Sequence, residues 1–102
     1  MATQYVPVSL IGVPTDIGAG HRGARMGPEA LRIAGLQEAL IGRGVEVRDL
    51  GNLDGPRNPW QAPQAGYRHL DEVVAWNQAL MDASYAELCA GRMPVMLGGD
   101  HC

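Results

Sequence analysis

The chain has 102 residues, 46% hydrophobic and 19% charged, a balance that gives a folded chain of one domain at most and excludes intrinsic disorder. Its formal net charge is -3 and its basic residues are scattered along the sequence, which gives no electrostatic footprint for nucleic acid or for an anionic membrane surface. Cys89 and Cys102 form no Cys-x-x-Cys pair, the N-terminus lacks a basic leader and no apolar run nears about 18 residues; a disulfide framework, a structural zinc site and a membrane span are therefore not expected, and a reducing cytoplasm is.

The first predicted element is a strand over residues 6–13, β-branched and almost continuously apolar, as expected where a parallel sheet is covered on both faces. Pro14 closes it. A glycine-rich loop runs from Thr15 to Gly27, and Pro28-Glu29 opens a helix, because proline is tolerated at the first helical position and a carboxylate favours the positive end of the helix dipole. Ile33, Leu36 and Leu40, with Ala30 and Ala34 beside them, are expected on its inner face, and Gly42 and Gly44 end it.

Residues 45–50 alternate apolar and polar and read as a second strand with one face less buried. The Gly-, Pro- and Asn-rich stretch from Gly51 to Gly66 reads as a surface excursion, with Trp60 either a partner contact or packed down onto the same domain. A second helix is predicted over residues 70–90, with Leu70, Val73, Val74, Leu80, Met81 and Leu88 at helical spacing, interrupted by Asn77 and Ser84 and stopped by Gly91. Pro94–Leu97 is the third strand, and Gly98-Gly99-Asp100-His101-Cys102 follows it.

The order β-α-β-α-β implies a doubly wound parallel sheet in a single α/β domain over residues 1–102, with strand order 2-1-3 and the helices on opposite faces. Ligands of such sheets bind outside the carboxyl ends of the strands, where both the Thr15–Gly27 loop and Asp100-His101 fall. Gly18-Ala19-Gly20-His21-Arg22-Gly23 matches Gly-x-Gly-x-x-Gly, and Asp49 ends the next strand where a ribose-binding acid sits in dinucleotide folds. Against a nucleotide-binding module, four residues separate Val13 from Gly18 and the helix opens only at Pro28, so the glycines are not placed to bring a pyrophosphate to a helix N-terminus.

Three segments carry a resemblance: residues 11–18 (Ile-Gly-Val-Pro-Thr-Asp-Ile-Gly), residues 22–28 (Arg-Gly-Ala-Arg-Met-Gly-Pro) with Leu31-Arg32-Ile33-Ala34-Gly35-Leu36, and the terminal Leu97-Gly98-Gly99-Asp100-His101. Together they resemble the ureohydrolases, specifically the N-terminal portion of bacterial arginases; the middle, from Gly51 to Gly91, is generic. The resemblance implies an arginase-type hydrolase of arginine metabolism, in which a hydroxide bridging two manganese ions converts arginine to ornithine and urea. It further implies a small-molecule guanidino substrate and a homo-oligomer, trimeric or hexameric in the family. A guanidinium carbon is a poor electrophile, and a metal pair provides a strong nucleophile at neutral pH.

His101 maps onto a manganese-binding histidine of the family, and Asp100 reads as a carboxylate that orients a ligand or stabilises the turn. Asp16 is expected either to orient such a group or to cap its own loop, and His21 to border the cleft without a chemical role. Cys102 stands where many relatives have serine, and neither it nor Cys89 is expected to be an activated nucleophile. His69 is expected at a solvated helix start. The family's remaining metal ligands lie in later segments, so the isolated 102-residue chain is expected neither to hydrolyse arginine nor to bind manganese at the micromolar level. Agmatine and formimidoylglutamate hydrolases of the same family are the alternative within the class; a nucleotide-binding or non-catalytic assembly module is the alternative outside it. The outer edge of the third strand favours self-association.

Overall fold

The computed structural model describes residues 5–102. Three strands, β1 (Val8–Gly12), β2 (Val47–Asn52) and β3 (Met93–Leu97), form one parallel sheet in the order β2-β1-β3. Helices α1 (Gly27–Ile33) and α2 (Leu36–Gly42) connect β1 to β2, and α3 (Leu70–Cys89) connects β2 to β3. The first crossover runs from the central strand to one edge and the second runs back past it to the other edge, and two crossovers of the usual right hand running in opposite directions place their helices on opposite faces.

The side chains of β1 agree with that arrangement. Ser9 and Val13, on one face, meet α3: the Ser9 hydroxyl donates to Glu87, and Val13 clusters with Ile17 and Trp76. Gly12, on the other, abuts Asn52 and Arg32, the latter on α1. Leu10 and Ile11, one on each face, are fully buried, which accounts for the continuous apolar character of this strand. Successive residues of β2 alternate between half-buried and exposed; Val47 and Arg48 follow the predicted apolar-in, polar-out order, whereas Asp49 is half-buried against Arg32 and Leu50 is 41% exposed.

The first helix differs from its prediction. One continuous helix was expected from Pro28 to Gly42, but the chain breaks at Gly35, whose φ of 92° is left-handed and starts α2 in a new direction. The break removes Ile33 from the expected inner face, leaving it 79% exposed, while Leu36 and Leu40 stay half-buried. A short 3-10 turn over Ala24–Met26 precedes α1, so helical structure begins slightly before Pro28.

In α3 only part of the expected stripe faces inward: Val73 and Leu80 do, but the inner face is centred on Trp76. Trp76 is 5% exposed and packs with Val73, Leu80 and Leu53, whereas Leu70, Val74, Met81 and Leu88 point outward. The Trp76 indole N–H donates to the Pro56 carbonyl at 2.8 Å, and its ring lies where a Cβ on Gly55 would sit; the 51–66 excursion is thereby tied to the core. His69, expected to be solvated, is buried instead: Nδ1 lies 2.8 Å from the Ile17 carbonyl and Nε2 accepts the Gln61 N–H at 3.1 Å. Its left-handed backbone, φ 50°, turns the chain into α3.

At the amino end of the sheet, Arg92 donates through Nε to Ser9 at 2.7 Å and through Nη2 to the Val8 carbonyl at 3.0 Å. Its ion pair with Glu87 ties the end of α3 to the central strand. Among the described residues, no helix is long and apolar enough to cross a membrane.

Candidate functional site

The carboxyl edge of the sheet is where the two ends of the sequence meet. The loop after β1 and the turn after β3 touch backbone to backbone. A Cβ on Gly27 would collide with the Gly98 carbonyl, and one on Gly99 with the Ala24 carbonyl. Only glycine permits this approach, which is the physical reason for the Gly-Pro at the start of α1 and the Gly-Gly after β3.

The junction is closed by a side chain as well. Asp100 Oδ2 accepts the Gly18 N–H at 2.6 Å, and Oδ1 accepts the Cys102 N–H at 3.2 Å. Both oxygens thus hold backbone, one across the junction and one within the turn. The His101 side chain adjoins a cavity of about 320 Å³ whose wall also includes Thr15, Asn77, Met96 and Asp100. His101 is exposed, and its ring makes no hydrogen bond or ion pair with any described residue. Asn77, which breaks the apolar stripe of α3, donates to the Cys102 carbonyl at 3.3 Å from the opposite wall. Burial and then the neighbouring Asp100 carboxylate push the Cys102 thiol above its ordinary pKa, the direction opposite to nucleophilic activation.

Asp16 is 7% exposed and lies beside this junction rather than in the His101 cavity. Its carbonyl accepts the Asn58 side-chain N–H at 2.9 Å and the Ala19 N–H at 2.9 Å, while Asn58 Nδ2 also approaches its carboxylate at 3.4 Å. The side-chain cap in this stretch comes from Thr15, whose Oγ1 accepts the Ile17 N–H at 3.1 Å. His21 is exposed in the outer part of the loop and does not line the His101 cavity. The structure therefore brings Asp100, His101 and the Thr15–Gly18 backbone together, and sets His21 apart.

Asp49, the acid a dinucleotide fold would use, is engaged elsewhere. Arg32 donates to it from Nε at 2.8 Å and from Nη2 at 3.1 Å, and the same guanidinium reaches Asn52 at 2.6 Å. This fork, with the Gly51 N–H, outweighs desolvation and holds the Asp49 carboxyl below its ordinary pKa. Gly18 faces Asp100 instead of the start of a helix.

No group of three or more His, Cys, Asp or Glu side chains is gathered for a metal ion among the described residues. A free imidazole on a polar turn fits one coordination position, whereas Asp100, with both oxygens committed to backbone N–H groups, fits the part of a turn-holding carboxylate.

Comparison with known proteins places these features in context. The model of the arginase family matches residues 6–102. The arginase of Brucella melitensis is 40% identical over 93 residues, which are 90% of this chain and 30% of that protein. The arginase of Brevibacillus brevis is 38% identical over 94 residues, 92% of this chain and 32% of the relative. Among solved structures, the arginase of Bacillus subtilis superposes with a TM-score of 0.81 at 36% identity, covering 93% of this chain and 31% of that one. The arginase of Bacillus caldovelox gives the same TM-score at 34% identity over 90% of this chain and 31% of that chain. The chain thus spans about a third of the length of the relatives it matches, and corresponds to their N-terminal portion.

Proposed function

This chain belongs to the arginase family, and from that premise we propose that it forms the N-terminal part of a single-domain, manganese-dependent ureohydrolase that converts L-arginine to L-ornithine and urea. The observation that carries the reading is the placement of His101: an unengaged imidazole at the carboxyl end of β3, on a turn locked by Asp100 to the loop after β1. That is the rim at which doubly wound sheets bind their ligands.

In this reading His101 holds one manganese ion through a ring nitrogen, and the remaining ligands come from segments outside these residues. The chemistry such a site would supply is activation of water as a nucleophile at neutral pH against a weakly electrophilic guanidinium carbon. Asp100 fixes the direction of the turn through the Gly18 and Cys102 N–H groups and so sets where the imidazole points. Thr15, capping the Ile17 N–H, keeps the facing wall in shape. Asp16 supports that wall through Asn58, and His21 takes no chemical part.

The choice of arginine over agmatine or formimidoylglutamate follows the similar proteins described above, each of which is an arginase. A homo-oligomer in the cytoplasm is part of the same proposal. The engagement of Asp49 by Arg32 speaks against the nucleotide-binding alternative.

The test is urea release from L-arginine, with agmatine in parallel, by the complete protein with and without added manganese, wild type against His101→Asn. Manganese-dependent release of urea that falls at least about 100-fold in the variant is expected, by the usual cost of losing a group that acts on the reacting centre. Equal activity of the two proteins would overturn the role of His101, and a preference for agmatine would overturn the substrate.

A further inference from the structure

The basic residues, scattered in the sequence, are not scattered in space. Arg22 and Arg25 from the loop after β1 and Arg57 from the 51–66 excursion line one groove of about 360 Å³ together with Asp16, Asn58 and Trp60. The volume is that of a small-molecule site. None of the residues around the groove lines the His101 cavity, so the two are separate features of the same rim.

The charges in this groove are unbalanced. Arg32 and Arg92 have carboxylate partners, but Arg22, Arg25 and Arg57 have none within 4.0 Å among the described residues. One acid, Asp16, lines the groove against three guanidinium groups; Asp54 lines the adjoining hollow that Arg25 and Arg57 also border, so the surroundings keep an excess of positive charge in a chain whose net charge is -3. Like charges at close quarters repel, and an anion between them removes that repulsion.

The walls are fixed relative to each other. Asn58 donates from Nδ2 to the Asp16 carbonyl at 2.9 Å, joining the two loops, and its Oδ1 accepts the Trp60 N–H at 2.8 Å. Arg22 is drawn over the Trp60 ring, with its guanidinium carbon 5.7 Å from the centroid, so one cation is already held at the groove. Arg25 and Arg57 remain with all their donors available, in the planar fork that grips carboxylate or phosphate by paired hydrogen bonds.

We propose that this groove binds a small dianion, its two negative charges carried by a phosphate or by a dicarboxylate, with Arg25 and Arg57 as the gripping residues and Arg22 completing the charge over Trp60. The same field excludes a cation, so the ligand is distinct from a guanidinium substrate. The inference stands whether or not the His101 site performs the reaction proposed above.

The experiment is calorimetric titration of the purified protein with inorganic phosphate and, separately, with succinate, at low ionic strength and with chloride and acetate as monoanion controls. Intrinsic tryptophan fluorescence is followed in parallel, since an anion seated against the Arg22–Trp60 pair changes the surroundings of that ring and so its emission. Saturable binding of either dianion is expected, phosphate alone indicating a compact tetrahedral ligand and succinate alone an extended one. It is expected to weaken at least about tenfold in Arg25→Gln and in Arg57→Gln, each of which removes a charge-assisted fork. Arg48→Gln, an exposed arginine on β2 outside the groove, is expected to leave binding unchanged, and Trp60→Phe to abolish the fluorescence change. Circular dichroism confirms that each variant keeps its fold. Absence of saturable binding by both dianions, equal weakening in Arg48→Gln, or chloride and acetate binding as tightly would each overturn the proposal.

Discussion

Asp100 and Gly18, which lie near opposite ends of the sequence, are joined by a hydrogen bond of 2.6 Å from the Gly18 N–H to the Asp100 carboxylate. The bond makes the loop after β1 and the turn after β3 one unit, and the turn carries His101. An Asp100→Asn variant replaces a charged acceptor by an amide whose NH2 cannot face both N–H groups. The bond is exposed to solvent, so the loss is expected at the low end for charged hydrogen bonds, about 1.5 kcal/mol in urea unfolding. Amide exchange at Gly18 should accelerate, and unchanged protection there would show that the bond contributes nothing to holding the loop.

Two glycine substitutions separate close approach from ordinary helix propensity. Gly27→Ala places a methyl group against the Gly98 carbonyl and is expected to destabilise the chain by about 1–3 kcal/mol, the usual range for overpacking. Gly42→Ala meets open space at the end of α2 and is expected to be neutral or to stabilise by up to about 1 kcal/mol. Equal effects of the two in denaturant titrations would mean that the junction has room to relax.

The Arg32–Asp49 fork predicts an acid limb in the stability profile. Asp49 has its folded-state pKa lowered by Arg32, so its stabilising contribution is fully present above the unfolded value, near 3.8, and is lost as pH falls through the folded value. Stability measured from pH 6 down to pH 2 should therefore decline less steeply in Asp49→Asn than in the parent. The pair is partly solvated and screened, so added salt should shrink the difference. Parallel profiles for the two proteins would show that the fork does not persist in solution.

The isolated 102-residue chain tests what one imidazole can do alone. Equilibrium dialysis is expected to find no manganese bound at micromolar concentration, and a colorimetric assay no urea above background, because a two-metal site needs ligands that a lone histidine cannot replace. Urea release by this chain would require ligands from within these residues.

Its oligomeric state is a further check. The outer edge of β3 has no partner strand among the described residues, and Met93 there is 51% exposed. Light scattering should detect association of the isolated chain at high concentration, reduced by Met93→Lys, since a charge on an edge strand opposes pairing. A monomer at all concentrations would rule out strand-mediated association.

Much of this architecture is legible in the residues themselves. The unbroken apolar run of β1 and the alternation of β2 carry the strand order, because a central strand and an edge strand bury different numbers of faces. The features that escape are those set by tertiary contact. Gly35 has helical neighbours, and nothing local announces that it turns left-handed. Both faces of α3 hold apolar side chains, so periodicity alone cannot tell that Trp76 points inward while Met81 and Leu88 point out. His69 reads as polar and solvated until Ile17 and Gln61 supply its partners. Of the rim, Asp100-His101 is visible as a motif, but the gathering of Arg22, Arg25 and Arg57 depends on how the 51–66 excursion folds back.

The backbone contacts of Gly27 with Gly98 and of Ala24 with Gly99 also bear on how the molecule assembles in time. They close a long loop of sequence, so the entropy of closing it opposes them, and they can be made only in a chain whose two crossovers are wound in the right sense. The position of the His101 imidazole thus depends on both crossovers being wound correctly, and a chain with one crossover misplaced would lack the rim altogether.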